Sequence, residues 1–126
     1  MAAKRKLKIG VFGAGRGFTM IKGLANNPDA ELAAICDFYA PFETRAKKLI
    51  KDAGVKTVFY RDFDKFMNHD MDAVVLANYA NEHAPYAVRL LTSGRHIMSE
   101  VLACQTMAEA VALVEAVEAS KKVYAY

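Results

Sequence analysis

The sequence predicts a doubly wound α/β domain built on a parallel sheet. Three observations predict it. The runs at 7–12 and 72–77 are apolar at consecutive positions, as in strands buried on both faces. Segments with helical spacing lie between the runs, long enough to be crossovers. A glycine-rich turn, Gly13-Ala-Gly-Arg-Gly17, follows the first run directly. With 126 residues and 54% apolar content, a single domain over 1–126 with its own core is expected.

Taken in order, 7–12 reads as the first strand and 17–26 as the helix that the glycine turn feeds. The apolar run 31–36 is the second strand. The segment 41–53 is helical, with Pro41 in its first turn, Phe42, Ala46, Leu49 and Ile50 on one face, and Gly54 at its end. No element is assigned between Gly54 and Asp72. The run Asp72-Ala-Val-Val-Leu-Ala77 is a further strand, 83–93 a helix closed by Gly94, and 96–99 a short strand. Thr106-Met-Ala-Glu109 reads as a capping box. The helix behind it runs to about 119, with Ala110, Val111, Val114 and Val117 as its inward stripe. Residues 122–126 form a last strand.

The turn and the second strand together define candidate chemistry. Gly13 and Gly15 have no Cβ, so backbone N–H groups can approach a pyrophosphate at the N-terminus of the next helix. Asp37, at the end of the second strand, is placed to accept from both hydroxyls of an adenosine ribose. Its charge would repel a 2′-phosphate, which favours NAD over NADP. The alternative for Asp37 is a strand-end carboxylate that caps a turn. In the usual G-x-G-x-x-G/A spacing the third small residue falls at Phe18, whereas Gly17 comes one place early. The helix is therefore expected to pack on its strand differently here.

Composition excludes several classes. The formal charge is +3, and the basic residues are scattered except for Lys4-Arg5-Lys6 and Lys47-Lys48, so no nucleic-acid footprint is present. Cys36 lies in an apolar strand and Cys104 near a helix start, without metal or disulfide spacing. No metal site is expected. No run approaches membrane-spanning length and no leader pattern precedes the first strand, so a cytoplasmic protein is expected. His69, in a loop, and His96, in or beside a strand, read as structural or solvated.

The glycine turn, Asp37, the segment Asp72-Ala-Val-Val-Leu-Ala-Asn-Tyr-Ala-Asn-Glu-His-Ala-Pro85, and Ser93-Gly-Arg-His-Ile-Met-Ser-Glu100 followed by a Thr-capped helix resemble the N-terminal domain of the Gfo/Idh/MocA superfamily. The resemblance covers nearly the whole chain. It implies a Rossmann domain that binds NAD and a second α/β domain, absent from these residues, that supplies most of the substrate site. It also implies a sugar or polyol substrate and a homo-oligomer. Carried over by position, Gly13, Gly15, Arg16, Gly17 and Phe18 would surround the pyrophosphate and Asp37 the adenosine ribose. Ala77, Asn78 and Tyr79 would line the cofactor after the Asp72–Ala77 strand, His83 would match a family histidine at a helix start, and Glu100 would lie near the nicotinamide ribose. His83 and Glu100 have plain alternatives as helix-start or strand-end polar groups.

Two departures from the family stand out. Its usual Thr/Ser-Pro-Asn run is replaced by Asn78-Tyr79-Ala80, and its frequent Glu-Lys-Pro by Glu100-Val101-Leu102. Val101 can neither donate a proton nor stabilise an alkoxide, so no catalytic residue is assigned. Hydride transfer between nicotinamide and a sugar or polyol carbinol is the first expectation. The Glu-Val pair also resembles a branch of glycoside hydrolases that use tightly held NAD without consuming it. A third reading is a non-catalytic nucleotide-binding fragment, or a subunit completed by another chain.

Overall fold

The computed structural model describes residues 3–126. Six strands, β1 (Leu7–Phe12), β2 (Ala30–Cys36), β3 (Val58–Tyr60), β4 (Ala73–Leu76), β5 (His96–Ser99) and β6 (Tyr124–Ala125), form one sheet in the order β3-β2-β1-β4-β5-β6. Every neighbouring pair is parallel. Five α-helices connect them: α1 (Phe18–Ala25), α2 (Ala40–Ala53), α3 (Phe63–Met67), α4 (His83–Thr92) and α5 (Met107–Ser120), with a single 3₁₀ turn at Ala80–Glu82 before α4. The doubly wound α/β prediction is met.

Alternation along the strands builds two cores. Val11, Ile35 and Val75 point to the face covered by α1 and α2, where they meet Ile21 and Ala46. Their chain neighbours Phe12, Cys36, Val74 and Leu76 point to the other face, against Phe63 and Phe66 of α3 and Ala87, Leu90 and Leu91 of α4. Because both faces are covered, consecutive residues must be apolar, and this is the pattern the sequence displays.

Several element ends follow from local chemistry. Pro41 stands in the first turn of α2, and Gly54 ends that helix in the left-handed region at φ 67°. The capping box of α5 is formed, with Thr106 Oγ1 accepting from Glu109 N–H at 3.1 Å and Glu109 Oε2 accepting from Thr106 N–H at 3.3 Å. Two elements carry too little local signal to be legible in the sequence. β3 is only three residues long, too short to show a period. α3 is five residues long, and its one local signal is Asp62, which accepts from Lys65 N–H at 2.9 Å as N-cap.

The expected stripe of α5 is corrected in part. Ala110 and Val117 are half-buried, Val117 against the core, but Leu113 is the buried residue and Val111 and Val114 are exposed. The helix is apolar on most sides, so spacing alone could not choose its inner face; packing against α4 does.

Candidate functional site

The strand order reverses between β1 and β4, since β2 lies on one side of β1 and β4 on the other. At such a switch point the loops leaving the two carboxyl ends turn to opposite faces and leave a crevice. A cleft of about 680 Å³ opens there, lined by Gly13, Gly15 and Arg16 after β1, by Asp37, Phe38, Tyr39 and Phe42 after β2, and by Ala77, Asn78, Tyr79 and Glu82 after β4.

Close packing shapes the glycine turn. Gly13 adopts φ +102°, and a Cβ there would lie 2.3 Å from the carbonyl carbon and oxygen of Ala77. The turn is thus pressed onto the end of β4, and both its backbone angle and its contacts require glycine. Gly17 is the N-cap of α1 with an ordinary φ of −75°. A Cβ on Gly17 would meet Gly13 O at 2.3 Å and Val11 Cγ1 at 2.9 Å. Gly17 therefore performs the close helix-to-strand packing usually given to the third small residue, one position early. Phe18 is released from that duty. It lies outside the cleft lining, its ring stacked under the Arg45 guanidinium at 3.4 Å.

Asp37 holds the turn from the side. Its Oδ2 accepts from Ala14 N–H at 2.7 Å and its Oδ1 from Tyr39 N–H at 2.8 Å. The turn-capping alternative is thus real. It does not use up the carboxylate, because each oxygen has a second lone pair. The Asp37 N–H donates to Tyr60 O at 3.1 Å, which fixes the strand end.

An aromatic wall stands on the β2 side of the cleft. Phe38 packs edge-on to Phe12 at 5.6 Å between centroids, and Tyr39 packs on Phe42 at 5.0 Å. Phe42 also lies over the turn, because a Cβ on Gly15 would come within 2.7 Å of its ring. The sequence does not reveal this wall: helical spacing puts Phe42 on a core-facing stripe, and nothing in it shows that the first turn of α2 reaches the glycine turn. Opposite stands Tyr79, about three-quarters exposed.

Asn78 lines the cleft, yet its Oδ1 and Nδ2 are buried without a hydrogen-bond partner among the described residues. His83 is 1% exposed and lies behind the cleft lining. Its Nε2 is 3.1 Å from Asn78 O and its Nδ1 2.8 Å from Leu102 O, so the ring sits between the β4 loop and the segment after β5, and each neutral tautomer donates to one of the two carbonyls. Glu100 also lies off the lining and faces Arg16 at 3.9 Å across the mouth. The other histidines stay outside: His69 meets the Tyr60 hydroxyl at 2.8 Å, and His96 Nδ1 accepts from Val123 N–H at 2.9 Å. Burial pushes the Cys36 thiol up to about 12, with the nearby Asp37 carboxylate adding to the shift. Among the described residues no group of His, Cys, Asp and Glu could hold a metal ion, and no helix is long and apolar enough to cross a membrane.

A model of the Gfo/Idh/MocA family, described as an oxidoreductase family with an NAD-binding Rossmann fold, matches residues 7–126. The chain belongs to this family. The chain is 31% identical over 130 residues to glycosyl hydrolase family 109 protein 1 of Shewanella sp. strain ANA-3, covering 97% of this chain and 28% of that protein. It is 28% identical over 123 residues to an α-N-acetylgalactosaminidase of Shewanella oneidensis, covering 92% of this chain and 27% of the relative. The crystal structure of Lactobacillus casei myo-inositol dehydrogenase with NAD(H) and myo-inositol superposes with a TM-score of 0.81 at 26% identity, over 95% of this chain and 36% of that one. The apo scyllo-inositol dehydrogenase of the same organism shares the fold, with a TM-score of 0.84 at 23% identity over 98% of this chain and 37% of that one. This Gfo/Idh/MocA domain thus spans between a quarter and two-fifths of these relatives.

Proposed function

We propose that the switch-point cleft holds NAD and that the domain serves an oxidoreductase acting on a sugar or polyol. The observation that carries this reading is Asp37, whose carboxylate is fixed by two backbone N–H groups beside the glycine turn and keeps two lone pairs for ribose hydroxyls. Gly13, Gly15 and Arg16 would border the pyrophosphate. The N-terminus of α1 has no side-chain cap and no acidic residue in its first turn, so its partial positive charge is left for an anion. Ala77 and Tyr79 would border the cofactor on the β4 side. Asn78 borders the same side, and its buried amide lacks a protein partner, at a cost of about 1–3 kcal/mol; it would meet a ligand only by turning its side chain toward the cleft. The cleft volume lies within the range of cofactor sites, about 300–1,000 Å³.

NAD, when bound, supplies the hydride acceptor. The chain would orient it: Asp37 would hold the ribose, with His83 beside the Asn78 backbone from behind the lining. Glu100, 3.9 Å from Arg16 beside the cleft, would lie near the nicotinamide ribose. Val101 offers no proton acceptor, so the base that takes the hydroxyl proton comes from elsewhere in the protein. One domain over 1–126, a cytoplasmic location and a homo-oligomer accompany this reading.

A second reading, NAD-assisted glycoside cleavage, is favoured by Val101 and by the names of the two Shewanella relatives. The protein is incubated with NAD and either a panel of inositols and hexoses or a chromogenic α-N-acetylgalactosaminide. Net formation of reduced nicotinamide with a polyol supports the dehydrogenase. Release of the chromophore with catalytic NAD and no net reduction supports the hydrolase. Neither product at saturating NAD would remove both.

A further inference from the structure

The contacts proposed for the glycine turn and Asp37 do not read the base of a dinucleotide, and the aromatic rings around the cleft accept any base, since every base has a π-face. A second carboxylate lines the cleft. Glu82 borders it from the β4 side, across from Asp37, and is half-buried there. Glu82 occupies the N-cap position of α4, yet its side chain caps no N–H of that helix. Among the described residues its carboxylate joins no ion pair, and Arg89, the cation on the same helix, is held by Asp64. Tyr86 follows one turn along α4. Burial holds the Tyr86 hydroxyl above its ordinary range, and the Glu82 charge raises it further, so the carboxylate is within electrostatic reach of Tyr86. The Tyr86 ring packs at 4.7 Å on Phe12, a cleft residue that also meets Phe38 at 5.6 Å. Phe12 thus bridges the ring that follows Asp37 and the helix that begins at Glu82.

We propose that Glu82 is a specificity-determining residue that reads the base of the dinucleotide, its carboxylate accepting a hydrogen bond from the exocyclic amino group of adenine. The inference rests on the reading of the cleft as an NAD site. With the ribose held at Asp37, the base would lie beside Phe38 and reach toward the β4 side, where Glu82 stands. An ionised carboxylate only accepts hydrogen bonds. It therefore favours a base that presents a donor at this edge, and the 6-amino group of adenine is such a donor. A charge-assisted bond of this kind is about twice as strong as a neutral one, and a site built to make it rejects an analogue without the donor.

The test is calorimetric titration of NAD, and of its purine analogue in which hydrogen replaces the 6-amino group, into the wild type, Glu82→Gln and Glu82→Ala. The wild type should prefer NAD about tenfold. Glu82→Ala should abolish that preference, weakening NAD relative to the analogue until the two bind within about twofold of each other. Glu82→Gln keeps an acceptor oxygen without the charge, so it should retain a preference of about threefold. The comparison of the two ligands in the wild type decides the question even if a variant does not fold. Equal affinity of the wild type for both ligands, or a tenfold preference that survives Glu82→Ala, overturns the inference while leaving the NAD site standing. Failure of the wild type to bind NAD overturns both.

Discussion

Gly17→Ala is the substitution whose effect the packing determines most directly. The backbone at Gly17 is unstrained at φ −75°, so a methyl group there acts through contact alone. That methyl would lie 2.3 Å from Gly13 O, where ordinary contact begins at 3.4 Å, so the turn or the start of α1 must move by about 1 Å. Val11 Cγ1 at 2.9 Å and Ala77 Cβ at 3.1 Å block the easy directions. Overpacking of this kind costs about 1–3 kcal/mol, offset by about 0.4–1 kcal/mol from the stiffer unfolded chain. For a domain of this size each kcal/mol is worth about 3–6 °C in Tm. Thermal melts should therefore show a fall of several degrees, and NAD affinity should drop because the displaced atoms belong to Gly13. Phe18→Ala is the control. It loses the Arg45 stacking, about 0.5–1 kcal/mol, but leaves the turn and NAD binding in place. If Gly17→Ala melts and binds like the wild type while Phe18→Ala loses the cofactor, the assignment of the third small position to Gly17 is wrong.

Three other outcomes follow from the same geometry. Gly15→Ala would drive a methyl group into the Phe42 ring, a side chain that can swing, so Gly15→Ala and Phe42→Leu should be non-additive by about 0.5–2 kcal/mol in denaturant melts; strict additivity would show that the ring does not rest on the turn. Asp72 is held below the ordinary carboxylate range, chiefly by the Lys8 N–H at 2.8 Å, with Arg5 assisting. Its folded-state pKa is depressed, so its stabilisation is full above about pH 3.9 and is lost as pH falls through the lower folded value. The stability gap between wild type and Asp72→Asn should therefore be constant above about pH 5 and shrink below about 4; a gap independent of pH would refute the linkage. With its thiol raised to about 12 and buried, Cys36 should resist a thiol reagent at neutral pH until the protein unfolds, whereas half-buried Cys104 reacts in the native state. Two thiols reacting at one rate before unfolding would contradict the burial.

Much of the fold is legible in the sequence because burial on both faces writes itself into consecutive apolar residues, as in Val74-Val75-Leu76. Asp37 and Gly13 are legible because a turn pressed on a strand end, and a carboxylate at the next strand end, each demand one residue type. What escapes depends on partners distant in sequence. Three residues of β3 acquire meaning only through their register with β2. The inner face of α5 is chosen by α4, since Val111 and Leu113 are equally apolar. Spacing places Phe18 in the turn, yet the contact that decides its orientation is with Arg45, on the next helix. The resemblance puts His83 beside the cofactor, with a helix-start polar group as the alternative, and nothing in the sequence shows that its ring nitrogens lie 3.1 and 2.8 Å from the carbonyl oxygens of Asn78 and Leu102.

The ribose contact proposed for Asp37 is the point on which the proposed cofactor site stands most directly. Calorimetry should compare NAD with an analogue lacking the 2′-hydroxyl of the adenosine ribose, titrated into the wild type and Asp37→Ala. The wild type should bind NAD with one site and lose about tenfold for the analogue, while Asp37→Ala should bind both weakly and alike. Absence of NAD binding to the folded wild type, or an equal loss for the analogue with and without the carboxylate, would contradict the assignment of this cleft.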